Sequence, residues 1–214
     1  MHKSPRILLS FAFFLMVSGV YAQAFSTLKL TSLHNYEIVD GAFNRSLVGL
    51  SPEIGYEAYN YSYQLEIAAY IPRQIDSMVY VYDSLFGYGF DAPVSETMTI
   101  FTIGLMSRYY LFSDWMPVNR LYTVSGIMGV FEHVNQDFIA GGLSEGKKFT
   151  NKSLDLTFGL GFETLIDDYL MPFIETSVYF PVAQGENPYN TVYDITEGYG
   201  VRIAGGVKLY LSDM

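Results

Sequence analysis

The sequence contains no cysteine, which excludes disulfides, zinc-thiolate sites, thiol nucleophiles and a lipid-anchored lipoprotein together. Charge is scarce as well. Asp, Glu, Lys and Arg make up 16% of the chain, where about 25% is usual for a soluble domain. Basic residues are scarcer still, 12 against 22 acidic ones, for a net charge of −10. Nucleic acid is therefore not an expected partner, because phosphate binding rests on Lys and Arg. Beyond Ala24 there is no apolar run of the ~20 residues that a transmembrane helix needs.

What is present is an apolar, aromatic chain. Half of its residues are apolar, with 19 Tyr and 16 Phe. Such a composition without a spanning helix points to a barrel wall with aromatic girdles. Residues 1–22 read as a cleaved signal peptide. His2, Lys3 and Arg6 make a basic start, residues 7–20 an apolar run too short to span, and Val20-Tyr21-Ala22 a small-residue cleavage site. Residues 23–214 then form one domain, with ten basic residues against 22 acidic.

Strict alternation of apolar and polar residues decides the fold. In residues 153–164, Leu154, Leu156, Phe158, Leu160 and Phe162 share one face, opposed by Ser153, Asp155, Thr157, Gly159, Gly161 and Glu163. A helix would scatter these two sets, whereas a strand separates them. The same pattern runs through residues 47–59, 61–71 and 201–211, and more weakly through 97–111, 121–133, 170–180 and 25–33. Most of these eight segments span 11 to 15 residues, long for globular strands of about 5–6 but suited to tilted membrane strands. Connections alternate between short (Asn60, residues 112–120, residues 166–169) and long (residues 34–45, 72–96, 134–152 and 181–198). This is the asymmetry of an all-β, eight-stranded antiparallel up-and-down transmembrane β-barrel, and it places both termini in the periplasm.

The polar faces are mostly small residues with sparse charges, expected to form a lumen network: Glu53, Glu57, Glu66, Asp155, Glu163 and Glu175 against Arg108, Arg202 and Lys208. A lipocalin-like carrier would have the opposite arrangement, apolar inside and charged outside. Tyr59, Tyr61, Tyr63, Tyr109, Tyr110, Trp115, Tyr122, Tyr169 and Phe173 are expected to form an interfacial belt near the short-turn rim. Loop acids such as Asp76, Glu96 and Asp137 read as solvated surface, without the spacing of a calcium loop.

The mature part has two histidines, His34 and His133. His133 at a strand end is the position a lipid-modifying enzyme would use. Lipid A deacylases carry a Ser two residues after the His, and Asn135 stands there instead. No catalytic, cofactor or metal site emerges.

The chain resembles the eight-stranded outer-membrane barrels grouped with the OmpA transmembrane domain and OmpX. Residues 104–111, Gly-Leu-Met-Ser-Arg-Tyr-Tyr-Leu, are similar to the inward-arginine strands of small porin-like proteins. Residues 206–211, Gly-Val-Lys-Leu-Tyr-Leu, resemble the C-terminal signal read by the barrel-assembly machinery. The resemblance implies a bacterial outer-membrane protein with a structural, surface-interaction or porin-like role. Its implied partners are outer-membrane lipids and lipopolysaccharide, the assembly machinery during insertion, and an extracellular ligand reached through the long loops. Lysines 147, 148 and 152 are the expected contact with lipopolysaccharide phosphates.

Overall fold

The computed structural model describes residues 23–37, 42–83, 88–111, 118–138, 147–185 and 199–211. The expected signal peptide, residues 1–22, lies outside these. Every described element is a strand: β1 (Gln23–Glu37), β2 (Ala42–Ala58), β3 (Tyr61–Tyr70), β4 (Arg73–Asp83), β5 (Tyr88–Leu111), β6 (Asn119–Phe138), β7 (Lys147–Thr164), β8 (Leu170–Gln184) and β9 (Tyr199–Tyr210).

All pairings are antiparallel between neighbours, in the order β3-β2-β1-β9-β8-β7-β6-β5-β4, and β3 also pairs with β5. That last pairing closes a ring of eight, with β4 outside it. Register partners followed once around the ring, from Ala24 through Tyr56, Tyr63, Ser107, Ser125, Phe158, Val178 and Val201, return to β1 at His34. The walk lands ten residues further along β1, which is the shear of the barrel. With strands about 4.8 Å apart and about 3.3 Å of rise per residue, this shear tilts them by roughly 40°.

The two faces separate as the alternation requires. Leu154, Phe158, Leu160 and Phe162 of β7, Ile103 and Leu105 of β5, and Ile174 and Val178 of β8 point outward and are exposed. Their inward neighbours carry the charges. This is the reverse of a lipocalin, and it gives an apolar wall. At that tilt, the outward apolar run of residues 154–162 covers about 20 Å of height, close to the ~25 Å band of outer-membrane barrels.

Two expectations are corrected. Residues 72–96, read as a loop, contain β4 and the first part of β5. Pro72 and Pro93, with interspersed Asp and Ser, mask the strand signal there. The other three long connections are also shorter than expected, because β1, β2, β6, β7, β8 and β9 all run on past the apolar band.

The chain changes partner at Ile71-Pro72. Ile71 donates its N–H to Val48 O at 2.8 Å, the last bond joining this run to β2. Pro72 has no N–H to continue that ladder. Below this point β3 pairs with β5 from Tyr61↔Tyr109 to Ala69↔Phe101; above it β4 takes over at Arg73↔Met98. Among the described residues β4 pairs with β5 alone. A sheet of β4, β5, β6 and β7 therefore projects beyond the ring, with β4 as its edge.

Candidate functional site

Among the described residues, buried charged side chains converge in the lumen, and they are arranged in layers. At mid-height, Lys29 of β1 donates to Glu53 at 2.5 Å, and to Glu66 and Glu175 at 2.9 Å each. Arg108 of β5 reaches Glu175 at 2.9 Å and Glu53 at 3.3 Å. Arg202 of β9 reaches Glu66 at 2.7 Å. Three cations meet three carboxylates, and all six are buried. The Arg108 guanidinium also lies 4.9 Å from the Phe173 ring centre.

A second layer lies toward the short turns. Lys208 donates to Glu57 at 2.9 Å and to Glu163 at 3.0 Å. Arg120 bonds both Glu57 and Glu163, and reaches Tyr210 Oη at 2.9 Å. The hydroxyls of Tyr110 and Tyr210 donate to Glu57 at 2.9 and 3.0 Å. Tyr122 joins the layers by donating to Glu175 at 3.3 Å.

Above the mid-height layer the interior turns apolar. Leu33, Leu47, Ala68, Tyr70, Met98, Ile100, Met128, Val130, Val134, Phe149 and Tyr179 form one buried cluster there. The lumen is thus a core of two balanced ionic layers under a mainly apolar cap, at whose level Glu132 and Asp155 are also buried.

Of the nine residues expected in a lumen network, eight fall in the two layers. Asp155 stands apart, accepting from Ser153 Oγ at 2.6 Å. Sequence reasoning missed Lys29 and Arg120, which balance the apparent excess of acid. Lys29 shares the parity of Phe25, Thr27 and Thr31, so its inward direction was readable. Arg120 falls in the expected short connection of residues 112–120, whereas β6 begins at Asn119.

Two further expectations are corrected by the same parity. Tyr110, Tyr122 and Phe173 belong to the lumen and not to the interfacial belt, because each is buried on the inward face. Tyr59, Tyr61, Tyr63, Tyr109 and Tyr169 do face outward and are exposed; Trp115 lies outside the described residues. Glu96 is likewise buried on β5, where Gln136 donates to it at 2.6 Å, and is not solvated. Glu132, which accepts from Asn151 at 3.0 Å, was not foreseen.

The two described histidines lie on the outer wall. His133 Nδ1 is 3.1 Å from Thr150 Oγ1, while Glu132 points the other way, into the lumen. His34 sits between Ser32 at 3.0 Å and Ser46 at 2.8 Å. Among the described residues no group of three or more His, Asp or Glu could hold a metal ion.

No protein-family model and no curated protein matches the sequence. Solved structures do match. A major outer membrane protein from Thermus thermophilus aligns at TM-score 0.57 and 12% identity, over 89% of this chain and 99% of that one. Neisserial surface protein A aligns at TM-score 0.50 and 13% identity, over 88% and 97%. The chain has the fold of an outer-membrane β-barrel. The likeness covers the ring as a whole, in agreement with an apolar outer wall and a charged interior.

Proposed function

We propose that this protein is a non-enzymatic bacterial outer-membrane barrel with a structural and surface-interaction role, its closed lumen anchoring a sheet that projects from the cell. The observation that carries this reading is the extension of β4, β5, β6 and β7 beyond the apolar band, ending in an edge of β4 that no described strand covers. An exposed edge presents backbone donors and acceptors to an extracellular partner chain. The layered interior disfavours wide-pore conduction.

The first and last described residues, Gln23 and Leu211, lie on the short-turn side, which is the periplasmic side in this reading. The projecting strands are then extracellular. Lys148 and Lys152, exposed on β7 just above Leu154, face the lipopolysaccharide phosphates. The last strand is the segment read by the assembly machinery. On the outer wall, among the described residues, His133 has Thr150 as its side-chain partner and no acid, which does not favour lipid chemistry.

An epitope inserted at residues 84–87 tests the orientation. It is expected to be accessible on intact cells, while an epitope after Leu211 becomes accessible only when the outer membrane is breached. The reverse pattern, or a water-soluble protein without heat-modifiable gel mobility, would overturn the proposal.

A further inference from the structure

The outer wall is not uniformly filled. A recess of about 830 Å³ lies on it, lined by outward residues of β2, β3, β5 and β6 with Ala24 and Leu211, and floored in part by inward neighbours such as Phe25, Gln64 and Met106. Tyr56, Tyr63, Ser107 and Ser125 are successive register partners across these strands. Ile54, Leu65, Leu105 and Ile127 form the next row. The floor is low because two serines stand where most of the wall carries Ile, Leu or Phe. Behind it the interior is packed: a Cβ on Gly55 would come within 2.7 Å of the Phe25 ring, and one on Gly126 within 2.4 Å of Met106 Sδ. The recess therefore opens outward.

The serines do not need water. Ser107 and Ser125 Oγ atoms are 3.0 Å apart, and Ser107 Oγ also lies 3.3 Å from Ser125 O. Their hydrogen bonds are met within the wall, so an apolar group can lie over them without stranding a hydroxyl. The Tyr56 and Tyr63 rings, with centroids 5.5 Å apart, flank the floor. One row nearer the short turns, the Tyr61 and Tyr109 rings lie 4.9 Å apart, tilted by 44°, as part of the aromatic belt. The recess thus begins at the interface and runs into the apolar band.

We infer that this recess is a binding site for one acyl chain of a glycerophospholipid in the leaflet on the short-turn side. Its position decides the occupant. Hydrocarbon is what the band meets, and a groove there is filled by a chain or remains a void without dispersion partners. The volume falls in the range of ordinary ligand sites, about 300–1,000 Å³. That the lipid is a phospholipid and not lipopolysaccharide rests on the proposed orientation, in which this leaflet is periplasmic.

The test uses the mature chain, delipidated in detergent and titrated with dipalmitoyl phosphatidylethanolamine, with bound lipid counted by native mass spectrometry. Ser125→Phe and Ser107→Leu fill the recess from different strands, so the second serves if the first does not assemble. Thr176→Phe, outward on β8, is the control. Wild type and the control are expected to hold one lipid more tightly than all others. Both filled variants are expected to bind it on the order of tenfold more weakly, the worth of about two buried methylenes. Equal retention by filled and wild-type protein would overturn the inference, as would an equal loss in Thr176→Phe. Lipopolysaccharide displacing the phospholipid from this site would overturn the choice of lipid. Heat-modifiable mobility, read on the same samples, reports the barrel itself and separates failure of the fold from failure of the site.

Discussion

Lys29 and Glu175 meet at 2.9 Å in the middle of the lumen, although β1 and β8 are separated in the ring by β9. The lysine bridges three carboxylates, and all four side chains are buried. Replacing it by Met would leave Glu53, Glu66 and Glu175 facing two arginines. Breaking a buried ionic cluster in this way costs about 3–5 kcal/mol. Lys29→Met is therefore expected to lower the urea midpoint of the folded, heat-modifiable band sharply in detergent micelles. Adding Glu53→Gln restores two cations against two carboxylates and is expected to recover part of the loss. A midpoint unchanged by Lys29→Met would show that the network does not hold the barrel together.

Arg120 makes a graded comparison. Its side chain is 13% exposed, and when it is removed Glu57 keeps Lys208 and two tyrosine hydroxyls while Glu163 keeps Lys208. Arg120→Met is expected to cost roughly 1–3 kcal/mol, the worth of hydrogen bonds to charged groups, and less than Lys29→Met in the same assay. The opposite order would mean that the layer near the short turns, and not the mid-height layer, is the main tie.

Adjacent glycines on β9 give a sharper contrast. A Cβ on Gly206 would point inward to 2.4 Å from Leu28 O and 2.7 Å from Lys29 Cα, backbone atoms that cannot swing aside. A Cβ on Gly205 would point outward, with Phe173 O at 3.6 Å as its nearest neighbour. Gly206→Ala is expected to destabilise by about 1–3 kcal/mol and Gly205→Ala to stay within about 0.5 kcal/mol of wild type. Urea midpoints for the pair test this, and equal values would contradict the register of β9 against β1.

Alternation made most of the ring legible in the sequence, because a strand buried on one face writes its orientation into every second residue. It identified the inward faces of β7 and β9 residue by residue. It failed where two signals compete. In β4 the apolar residues Met78, Val79 and Val81 lie among Asp, Ser and Tyr behind a proline, and the polar composition read as loop. In Tyr109-Tyr110 residue type points both rings to the belt, although adjacent strand positions must face opposite ways. Arg120 lies one residue past the start of β6, where strand ends are hardest to place. The apolar cap could not be read at all, since Met98, Ile100, Met128 and Val130 occupy inward positions of strands whose outward positions are also apolar. Only the pairing register assigns them to the lumen.

The outer wall can be mapped by charge. Phe158 is at the centre of the apolar run on β7, and His133 is where polar residues begin on β6. Arginine on the lipid face costs about 2–4 kcal/mol at the midplane and about 0–1 kcal/mol near the interface. Phe158→Arg is accordingly expected to impair folding into vesicles strongly, and His133→Arg to be tolerated. Similar penalties at both positions would misplace the band.

The layered lumen predicts the electrical behaviour of the barrel. An ion crossing it must pass the Glu57–Glu163 layer, the Lys29 layer and then the apolar cap, in which Tyr70 and Tyr179 are nearly fully buried. At the level of the cap, where Glu132 and Asp155 are also buried, side chains fill the interior to close packing and leave an ion no water-filled path. Wild-type protein in planar bilayers is therefore expected to show no steady conductance. Lys29→Met is expected to remain silent as well, because loosening the ionic layer leaves the cap in place. Conductance should appear only when Lys29→Met is combined with Tyr70→Ala and Tyr179→Ala. Steady channels in wild type would mean that the interior rearranges in lipid, whereas channels in Lys29→Met alone would assign closure to the ionic layers and not to the apolar cluster above them.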